Sequence, residues 1–445
     1  MKRDRYSDLL AWKNLPTRKP LILRGARQVG KTYLLKEFGR REYRNIAYFN
    51  FEQDPGLAGF FQGKLDPALI VQNLSLYSEK PIVPGRSLLV FDEIQNCPEA
   101  LNSLKYFQEQ APEHHVSAAG SLLGLKVGKS TAFPVGKVAF LDLLPMSFGE
   151  FLEATGHSGL RKIIDSRSAF EPLEQAFHQA LLHDLRLYYY VGGMPEAVAL
   201  YAESGDLKRV RSVQKAILDA HIHDFAKHTT KTEAVRLSRI WDAVPGQLAK
   251  ENKKFRYADV AKHARARDYA ESLQWLAAAA LVLKCHNIKC PKLPLSGYRE
   301  DEAFKIYLLD VGLLGARLGL TERTIVEGDR LFSEYSGAFV ENYVAQELVA
   351  YGCNDLYYWT STNQAEVDFV VGRDDVVYPL EVKAGASSKK KSLLVYAGKF
   401  APPVLSRATP MNFKKDGGIH NYPLYAVSRF PDLGRASGQA RFFKK

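Results

Sequence analysis

The chain has 445 residues and a formal net charge of +12, and this length allows two or three domains of about 100 to 200 residues each. With 46% hydrophobic and 25% charged residues, the composition is that of a globular protein and excludes the disordered and fibrous classes. No stretch reaches the roughly 18 uncharged apolar residues of a membrane helix, so we expect a cytoplasmic protein without a membrane partner. The four cysteines are scattered, which fits a reducing compartment; we interpret Cys285 and Cys290 as hairpin residues rather than half of a zinc site.

Positive charge is concentrated towards the C-terminus. From Ser387 to Lys445 there are twelve Lys and Arg against Asp416 and Asp432, a balance of +10. A localised basic surface suits a polyanionic partner, and we expect nucleic acid, DNA rather than RNA. The alternative is a basic tail that only keeps the protein in solution. Whether the chain forms a homo-oligomer is left open by the sequence.

The first third of the chain alternates short apolar segments with helical stretches. This pattern predicts an α/β fold with a mainly parallel sheet covered by helices. The predicted strands are Leu21 to Arg24, Ile46 to Phe51, Leu88 to Phe91, Val116 to Ala119 and Val138 to Leu141.

The rest of the chain changes character twice. The sequence predicts helices from about Phe148 to about Ala243. Two short helices (257–264 and 268–280) and two strands (281–284 and 303–309) then follow in the order of a winged-helix unit. The last part opens with a helix from Phe332 to Tyr351 and continues with strands, which indicates an α/β module with its own core.

A phosphate-binding loop follows the first strand. The residues Gly25, Ala26, Arg27, Gln28, Val29, Gly30, Lys31 and Thr32 fit the pattern GxxxxGKT, between an apolar strand and a helical stretch. Glycine-permissive geometry lets the backbone N–H groups of such a loop form an anion nest. Lys31 would reach the β and γ phosphates, and the Thr32 hydroxyl would complete the shell of Mg²⁺. The sequence therefore predicts a site for ATP with Mg²⁺.

A second acidic element completes a hydrolytic site. The apolar run Ser87 to Phe91 ends in Asp92 and Glu93. Asp92 would hold Mg²⁺, and Glu93 would orient or deprotonate the attacking water, which favours an ATPase. The alternative is that both carboxylates cap the next helix, which Pro98 begins.

The order of these motifs resembles that of a family of bacterial and archaeal AAA-like P-loop ATPases, whose C-terminal domain has a nuclease-like fold and unknown function. The resemblance rests on LILRGARQVGKT at Leu21 to Thr32, FNFE at Phe49 to Glu52, LLVFDEIQ at Leu88 to Gln95, AAGSLLG at Ala118 to Gly124, LLPMSFGEF at Leu143 to Phe151, GGMPEAV at Gly192 to Val198, and EVDFVV with LEVKAG near the end. It implies that Ser121 is the residue that senses the γ phosphate and that the middle helices form a lid. Gly136 and Lys137 stand where many relatives carry an arginine, so we assign no arginine finger.

A second candidate site lies near the end of the chain. Asp368 and the pair Glu381 and Lys383 match the PD-(D/E)xK pattern of restriction-endonuclease-like folds, with twelve residues between Asp368 and Glu381, although Val367 replaces the proline. In such folds two carboxylates bind Mg²⁺ and the lysine stabilises the attacking hydroxide or the phosphate. Glu341 matches the extra acidic residue beside the metal. The alternative is a solvated hairpin with polar residues on one face.

Together these features predict four domains and two possible functions. We expect an ATPase core (1–145), a helical lid (146–245), a winged-helix segment (246–325) and a restriction-endonuclease-like domain (326–445). The favoured hypothesis is an Mg²⁺-dependent ATPase coupled to nucleic-acid binding or processing. The alternative is a regulatory ATPase switch whose C-terminal domain only binds nucleic acid or protein.

Overall fold

A computed structural model describes residues 1–121, 134, 136–250, 254–323, 336–362, 365–385 and 390–433. The chain divides into two compact units. The N-terminal unit contains Lys2–Leu144 and the short segment Ala278–Ala280. The C-terminal unit contains Pro145–Ala277 and the described residues from Leu281 onward. No helix among the described residues is long and apolar enough to cross a membrane.

The N-terminal unit is built on the predicted parallel sheet, which is thereby confirmed. Its strands run in the spatial order β2-β3-β4-β1-β5, and all neighbours are parallel. They are β1 (Leu21–Arg24), β2 (Asn45–Asn50), β3 (Ser87–Asp92), β4 (His115–Gly120) and β5 (Ala139–Asp142). The helices described in this unit are α1 (Tyr6–Lys13), α2 (Lys31–Glu42), α3 (Pro67–Ser78) and α4 (Pro98–Gln110). β3 and β4 are buried at every residue, as expected for inner strands of a parallel sheet covered by helices.

Helices fill the stretch that the sequence predicts to be helical. They are α5 (Phe148–Ala154), α6 (Ser158–Asp165), α7 (Gln175–Val191), α8 (Pro195–Ser204), α9 (Leu207–His228) and α10 (Lys231–Leu248). The next helix, α11 (Ala266–Ala278), corresponds to the short helix predicted at 268–280. Two of them begin with a capping box, in which the N-cap hydroxyl and a glutamate three residues later satisfy each other's backbone N–H: Ser147 with Glu150 at α5, and Thr230 with Glu233 at α10.

The segment predicted as a winged helix differs from the expectation in two ways. The predicted helix 257–264 is only a 3₁₀ turn, Tyr257–Asp259, and the chain then turns at His263, whose φ is +64°. A left-handed residue cannot continue a right-handed helix, and histidine tolerates this conformation better than most residues. The predicted strands form an antiparallel pair, β6 (Val282–Ile288) and β7 (Arg299–Leu308), but the pair belongs to a larger sheet.

That larger sheet crosses the predicted domain boundary at 325/326. Its spatial order is β7-β6-β8-β9, and β6 pairs in parallel with β8 (Leu356–Thr360), with Cys285 opposite Leu356. The fourth strand is β9 (Glu366–Val367). The described residues between β7 and β8 include the helices α12 (Val311–Arg317) and α13 (Ser336–Ala350). The first residues of the helix predicted from Phe332 lie outside the described residues.

A second sheet of five strands follows, in the order β10-β11-β12-β14-β13. Its strands are β10 (Phe369–Arg373), β11 (Val376–Val382), β12 (Leu405–Thr409), β13 (Lys414–Asp416) and β14 (Ile419–Pro423), and α14 (Lys391–Phe400) connects the parallel strands β11 and β12. The predicted hairpin is present as the antiparallel pair β10 and β11. The predicted strand Glu366 to Val371, however, breaks at Asp368, and its two parts join different sheets.

A buried carboxylate connects α7 to α12 within the C-terminal unit. Asp310 is the N-cap of α12, and its carboxylate accepts hydrogen bonds from the backbone N–H of Leu313 (2.9 Å) and of Gly193 (2.6 Å). Gly192, the C-cap of α7, has φ +71°, and a Cβ atom there would lie 2.3 Å from Asp310 Oδ1. Only glycine therefore lets the Gly192-Gly193 turn approach this carboxylate.

Candidate nucleotide site and C-terminal carboxylate cluster

The loop between β1 and α2 has the conformation of an anion nest. Gly25, Gln28 and Gly30 all have positive φ, at +148°, +64° and +91°. A Cβ atom on Gly25 would lie 2.1 Å from the carbonyl oxygen of Leu143, so no other residue fits there. Gly30 is the N-cap of α2, and the loop therefore leads directly into the positive end of a helix.

Lys31 is buried inside this loop. Its ammonium donates hydrogen bonds to the carbonyl oxygens of Gly25 (2.9 Å) and Ala26 (2.7 Å). Burial lowers the pKa of Lys31 to about 8, against the opposing effect of the Glu93 and Asp92 carboxylates. The lysine is thus held at the loop, where bound phosphates would restore its preference for the charged form.

Asp92 and Thr32 come together at the end of the central strands. The Thr32 hydroxyl donates to Asp92 Oδ2 over 2.7 Å, and the hydroxyl of Tyr48 donates to the same oxygen over 2.7 Å. Asp92 is 2% exposed, and its Oδ1 accepts from the backbone N–H of Glu93. A hydroxyl and a carboxylate oxygen are hard ligands of the kind that Mg²⁺ prefers. Both predicted Mg²⁺ ligands therefore converge on one point.

Glu93 does not cap the helix that follows. That helix, α4, begins at Pro98 with Cys97 as its N-cap, and neither Asp92 nor Glu93 makes a capping bond to it. Glu93 has φ +50°, and its side chain accepts a hydrogen bond from the amide of Gln95. Its carboxylate lies one residue beyond that of Asp92, so the capping alternative does not account for this pair.

Ser121 directly follows β4, which lies between β3 and β1 in the sheet. Its hydroxyl is buried and has no hydrogen-bond partner among the described residues. An unpaired buried hydroxyl is unusual in proteins and is often explained by an absent ligand or water. The rest of the AAGSLLG motif, from 122 to 124, lies outside the described residues.

Two further residues of this site escaped sequence reasoning. Tyr48 contacts Asp92 from β2, and its only sequence signal is that it directly precedes the FNFE motif. Arg3 is buried; its guanidinium donates to the carbonyl oxygens of Val29 (2.8 Å) and Leu144 (2.6 Å) and so fastens the loop. Lys137, beside the position without an arginine finger, pairs with Glu109 at 2.9 Å.

The C-terminal candidate residues are also brought together. Asp368 and Glu381 are 7% and 3% exposed, and Lys383 lies 3.0 Å from Glu381 Oε1. Asp368 Oδ2 accepts from the backbone N–H of Val382 over 2.7 Å, and this bond lies where β9 and β10 separate. Glu381 Oε2 is buried without a hydrogen-bond partner among the described residues. The exposed-hairpin alternative does not fit this burial.

A lysine that sequence reasoning missed lies among these carboxylates. Lys305 on β7 is 1% exposed; its ammonium lies 3.4 Å from Glu341 Oε2 and 3.9 Å from Asp368 Oδ1, and it also pairs with Glu366. The Tyr307 hydroxyl donates to the same oxygen of Glu341 over 3.1 Å. The signal was present, since a lysine in the apolar run Ala303 to Leu309 must find a buried partner.

The charges of this cluster influence one another strongly. Burial, reinforced by Glu341, raises the pKa of Asp368 to about 7. The neighbouring carboxylates raise the pKa of Lys305 despite its burial. Among the residues that the structure describes, no group of three or more His, Cys, Asp or Glu is arranged to hold a metal ion. Glu341 is instead committed to Lys305 and Tyr307, and the predicted trio Glu341, Asp368 and Glu381 does not fit a metal ion as placed.

Three family models match successive parts of the chain. Residues 17–152 match a family described as an AAA domain. Residues 182–324 and 336–426 match two families described as domains of unknown function, DUF8612 and DUF4143. An uncharacterised protein of Mycobacterium bovis and one of Mycobacterium tuberculosis are each 31% identical over 164 residues, which is 36% of this chain and 34% of either relative. The chain thus spans about a third of the length of the curated relatives it matches.

Solved structures with similar folds are distant. The Walker-type ATPase of Pyrococcus abyssi is 15% identical with a TM-score of 0.46, covering 71% of this chain and 95% of that one. The ORC1 protein of Aeropyrum pernix, in complex with DNA, is 13% identical with a TM-score of 0.32, covering 74% and 94%. Neither likeness bears on function. The match of residues 17–152 to an AAA domain, together with the loop, the acidic strand end and the parallel sheet, indicates that this part of the chain forms an AAA-like P-loop ATPase domain.

Proposed function

We propose that this protein is a Mg²⁺-dependent ATPase whose nucleotide state is coupled to nucleic-acid binding by the C-terminal unit. The observation that carries the first half is the contact between Thr32 and Asp92, directly beside Lys31 in the loop. In this proposal Lys31 binds the terminal phosphates of ATP, and Thr32 and Asp92 hold Mg²⁺. The ion would neutralise phosphate charge as the reaction proceeds.

The remaining residues of the site position water and report on the phosphate. Glu93 orients or deprotonates the attacking water, and its place next to Asp92 supports this role. Ser121, whose buried hydroxyl has no described partner, would donate to the γ phosphate. Tyr48 positions Asp92 through its hydrogen bond. The middle helices would act as the lid in this proposal.

Two substitutions separate nucleotide binding from hydrolysis. We expect Lys31→Ala to weaken ATP binding, because it removes the charge that meets the phosphates. Glu93→Gln should keep ATP binding and lower turnover by roughly 10²-fold or more, since it removes only the group that prepares water. Binding of a fluorescent ATP analogue and release of inorganic phosphate measure the two effects. Turnover unchanged in Lys31→Ala would refute the proposal.

For the C-terminal unit we favour binding of nucleic acid over its cleavage. The convergence of Asp368, Glu381 and Lys383 supports a nuclease-like fold, and the order of α13, β8, β9 with β10, β11, α14 and β12 is compatible with it. The buried ammonium of Lys305 argues against a metal-dependent reaction, because a cation already lies between Glu341 and Asp368. We therefore derive no cleavage step at this cluster.

Cleavage is the second candidate, and the same preparation can test it. Labelled DNA and RNA are incubated with Mg²⁺ or Mn²⁺, using the wild type, Lys31→Ala and Asp368→Ala. We expect binding without cleavage in the wild type. Metal-dependent cleavage that survives in Lys31→Ala but is lost in Asp368→Ala would establish the nuclease instead, and would show that Lys305 moves aside when metal enters.

A further inference from the structure

A basic cavity lies in the segment between α10 and α11. It has a volume of about 530 Å³ and is bounded by the first turns of α10 and by the connection from Ala261 to Tyr269. Four side chains with a permanent positive charge line it: Lys231, Arg236, Arg239 and Lys262. The cavity lies within the C-terminal unit and is separate in sequence from the carboxylate cluster described above.

Within the described part of the chain, these four positive charges have no carboxylate paired with them. Arg239 donates a hydrogen bond to the hydroxyl of Tyr269, over 3.2 Å. The one acidic residue of the lining, Asp268, accepts from the backbone N–H of Arg265 and lies 3.9 Å from Arg267.

Three local features are unfavourable at this place, although the capping box of Thr230 and Glu233 stabilises the start of α10. Lys231 occupies the first position of α10, where the helix dipole disfavours a cation. Arg236 and Arg239 are three residues apart and repel each other on the same face. His263, at the rim, has the left-handed φ of +64°. Such conflicts between local preference and the fold are expected at functional sites, where a ligand compensates for them.

We propose that this cavity, which we call the α10–α11 cleft, binds the phosphodiester backbone of nucleic acid. Clustered Lys and Arg that pair with no carboxylate of the described chain would neutralise phosphates and release their counterions. The exposed Arg265 and Arg267 extend the same charge along the start of α11. The inference rests on the proposed function, because it gives the nucleic-acid partner a place on the molecule. The basic tail after residue 433 is not needed for it.

The test is a double variant with a matched control. Arg236→Gln with Lys262→Gln removes two charges from the α10–α11 cleft. Lys64→Gln with Lys208→Gln removes two charges from side chains that are 89% and 81% exposed elsewhere. Anisotropy of labelled duplex DNA and single-stranded RNA is measured with full-length protein between about 50 and 200 mM salt. We expect the cleft variant to bind roughly tenfold more weakly, with a salt slope reduced by about 2.

Control measurements distinguish a failure of this inference from a failure of the proposed function. The control should bind as the wild type does, and both variants should keep wild-type thermal stability and basal ATP turnover, because the cleft is not part of the nucleotide site. If the wild type binds nucleic acid and the cleft variant matches it in affinity and salt slope, this inference is overturned while the proposed function stands. If the wild type binds no oligonucleotide, both fall. The inference is also overturned if the cleft binds inorganic phosphate and no oligonucleotide competes with it, because its ligand would then not be a nucleic-acid polymer.

Discussion

Lys31 is a buried cation whose charge depends on pH close to neutrality. Burial lowers the pKa of Lys31 to about 8, and the loop carbonyls of Gly25 and Ala26 hold the ammonium in place. Only the protonated lysine attracts phosphate, so a nucleotide that binds must also stabilise the proton. ATP affinity and protonation of Lys31 are therefore linked.

We expect ATP affinity to fall as the pH rises above about 8. Below this pKa the lysine is already charged and affinity should change little; above it each pH unit should weaken binding by up to about tenfold. A fluorescent ATP analogue titrated at constant ionic strength between about pH 7 and 9.5 measures this. Affinity that stays constant to pH 9.5 would show that Lys31 keeps its charge without nucleotide.

Asp310 gives a second pH dependence, in stability rather than binding. Burial raises the pKa of Asp310 to about 6, above its ordinary value near 4, although backbone N–H groups oppose the rise. The folded state then holds a proton that the unfolded state has lost. Stability should fall as the pH rises from about 4 to 6, by on the order of 2 to 3 kcal/mol. Urea unfolding across this range should show a flatter profile for Asp310→Asn.

The residues of the nucleotide site were largely predictable, whereas their supports were not. The P-loop and the Asp92-Glu93 pair are contiguous in sequence, so their chemistry can be read locally. Tyr48 and Arg3 at this site, like Lys305 in the C-terminal carboxylate cluster, act on partners that the fold brings from far along the chain. Lys305, for example, meets Glu341 and Glu366, which are 36 and 61 residues away. No local pattern encodes such a contact.

At the scale of elements, the contact between α7 and α12 requires a residue without a side chain at Gly192. Gly192 ends α7 against Asp310, and Gly205 ends α8 with nothing within 4 Å of where its Cβ would be. Both have positive φ, at +71° and +65°. Both positions therefore require a left-handed backbone, but only position 205 has space for a side chain.

This pair makes a controlled comparison. Gly205→Ala should cost about 1 kcal/mol, which is the strain of a left-handed alanine. Gly192→Ala should cost clearly more, by roughly 1 to 3 kcal/mol beyond that, because its methyl group would push Asp310 away from the turn. Chemical denaturation of both variants gives the difference. Equal costs would mean that the carboxylate moves without penalty.

The positions of strands were easier to predict than the positions at which strands and helices are interrupted. The five strands of the parallel sheet lie within one residue of their predicted bounds at either end, because most of their residues are buried and apolar. The break at Asp368 was not predicted, since its cause is a hydrogen bond from Val382 on a neighbouring strand. Likewise, the 3₁₀ turn at Tyr257–Asp259 has a helical composition but ends at the left-handed His263.

At the scale of the whole molecule, each of the two units has its own core. In the N-terminal unit aromatic rings pack around Phe91, with Phe61 at 5.4 Å and Phe51 at 5.8 Å between ring centroids. In the C-terminal unit Trp359 and Tyr396 pack at 5.3 Å in a separate apolar cluster. ATP with Mg²⁺ would contact residues of the N-terminal unit.

We expect nucleotide to stabilise the two units unequally. A non-hydrolysable ATP analogue with Mg²⁺ at 100 times its dissociation constant should add about 2.7 kcal/mol to the unit that binds it. Calorimetry should therefore show one transition raised more than the other. EDTA should abolish the shift but leave melting without nucleotide unchanged, because the carboxylate cluster is proposed to hold Lys305 and no metal. Destabilisation by EDTA alone would contradict this.

Strand β6 determines where the C-terminal unit can be divided without leaving a strand unpaired. It pairs with β7 on one side and β8 on the other, so a fragment starting at residue 326 would leave β8 with an open edge. Unpaired edge strands recruit other chains and aggregate. The two family models that meet between 324 and 336 therefore divide the sequence without dividing the folding unit. A protein that contained only one of the two segments would have β6 without β8, or β8 without β6.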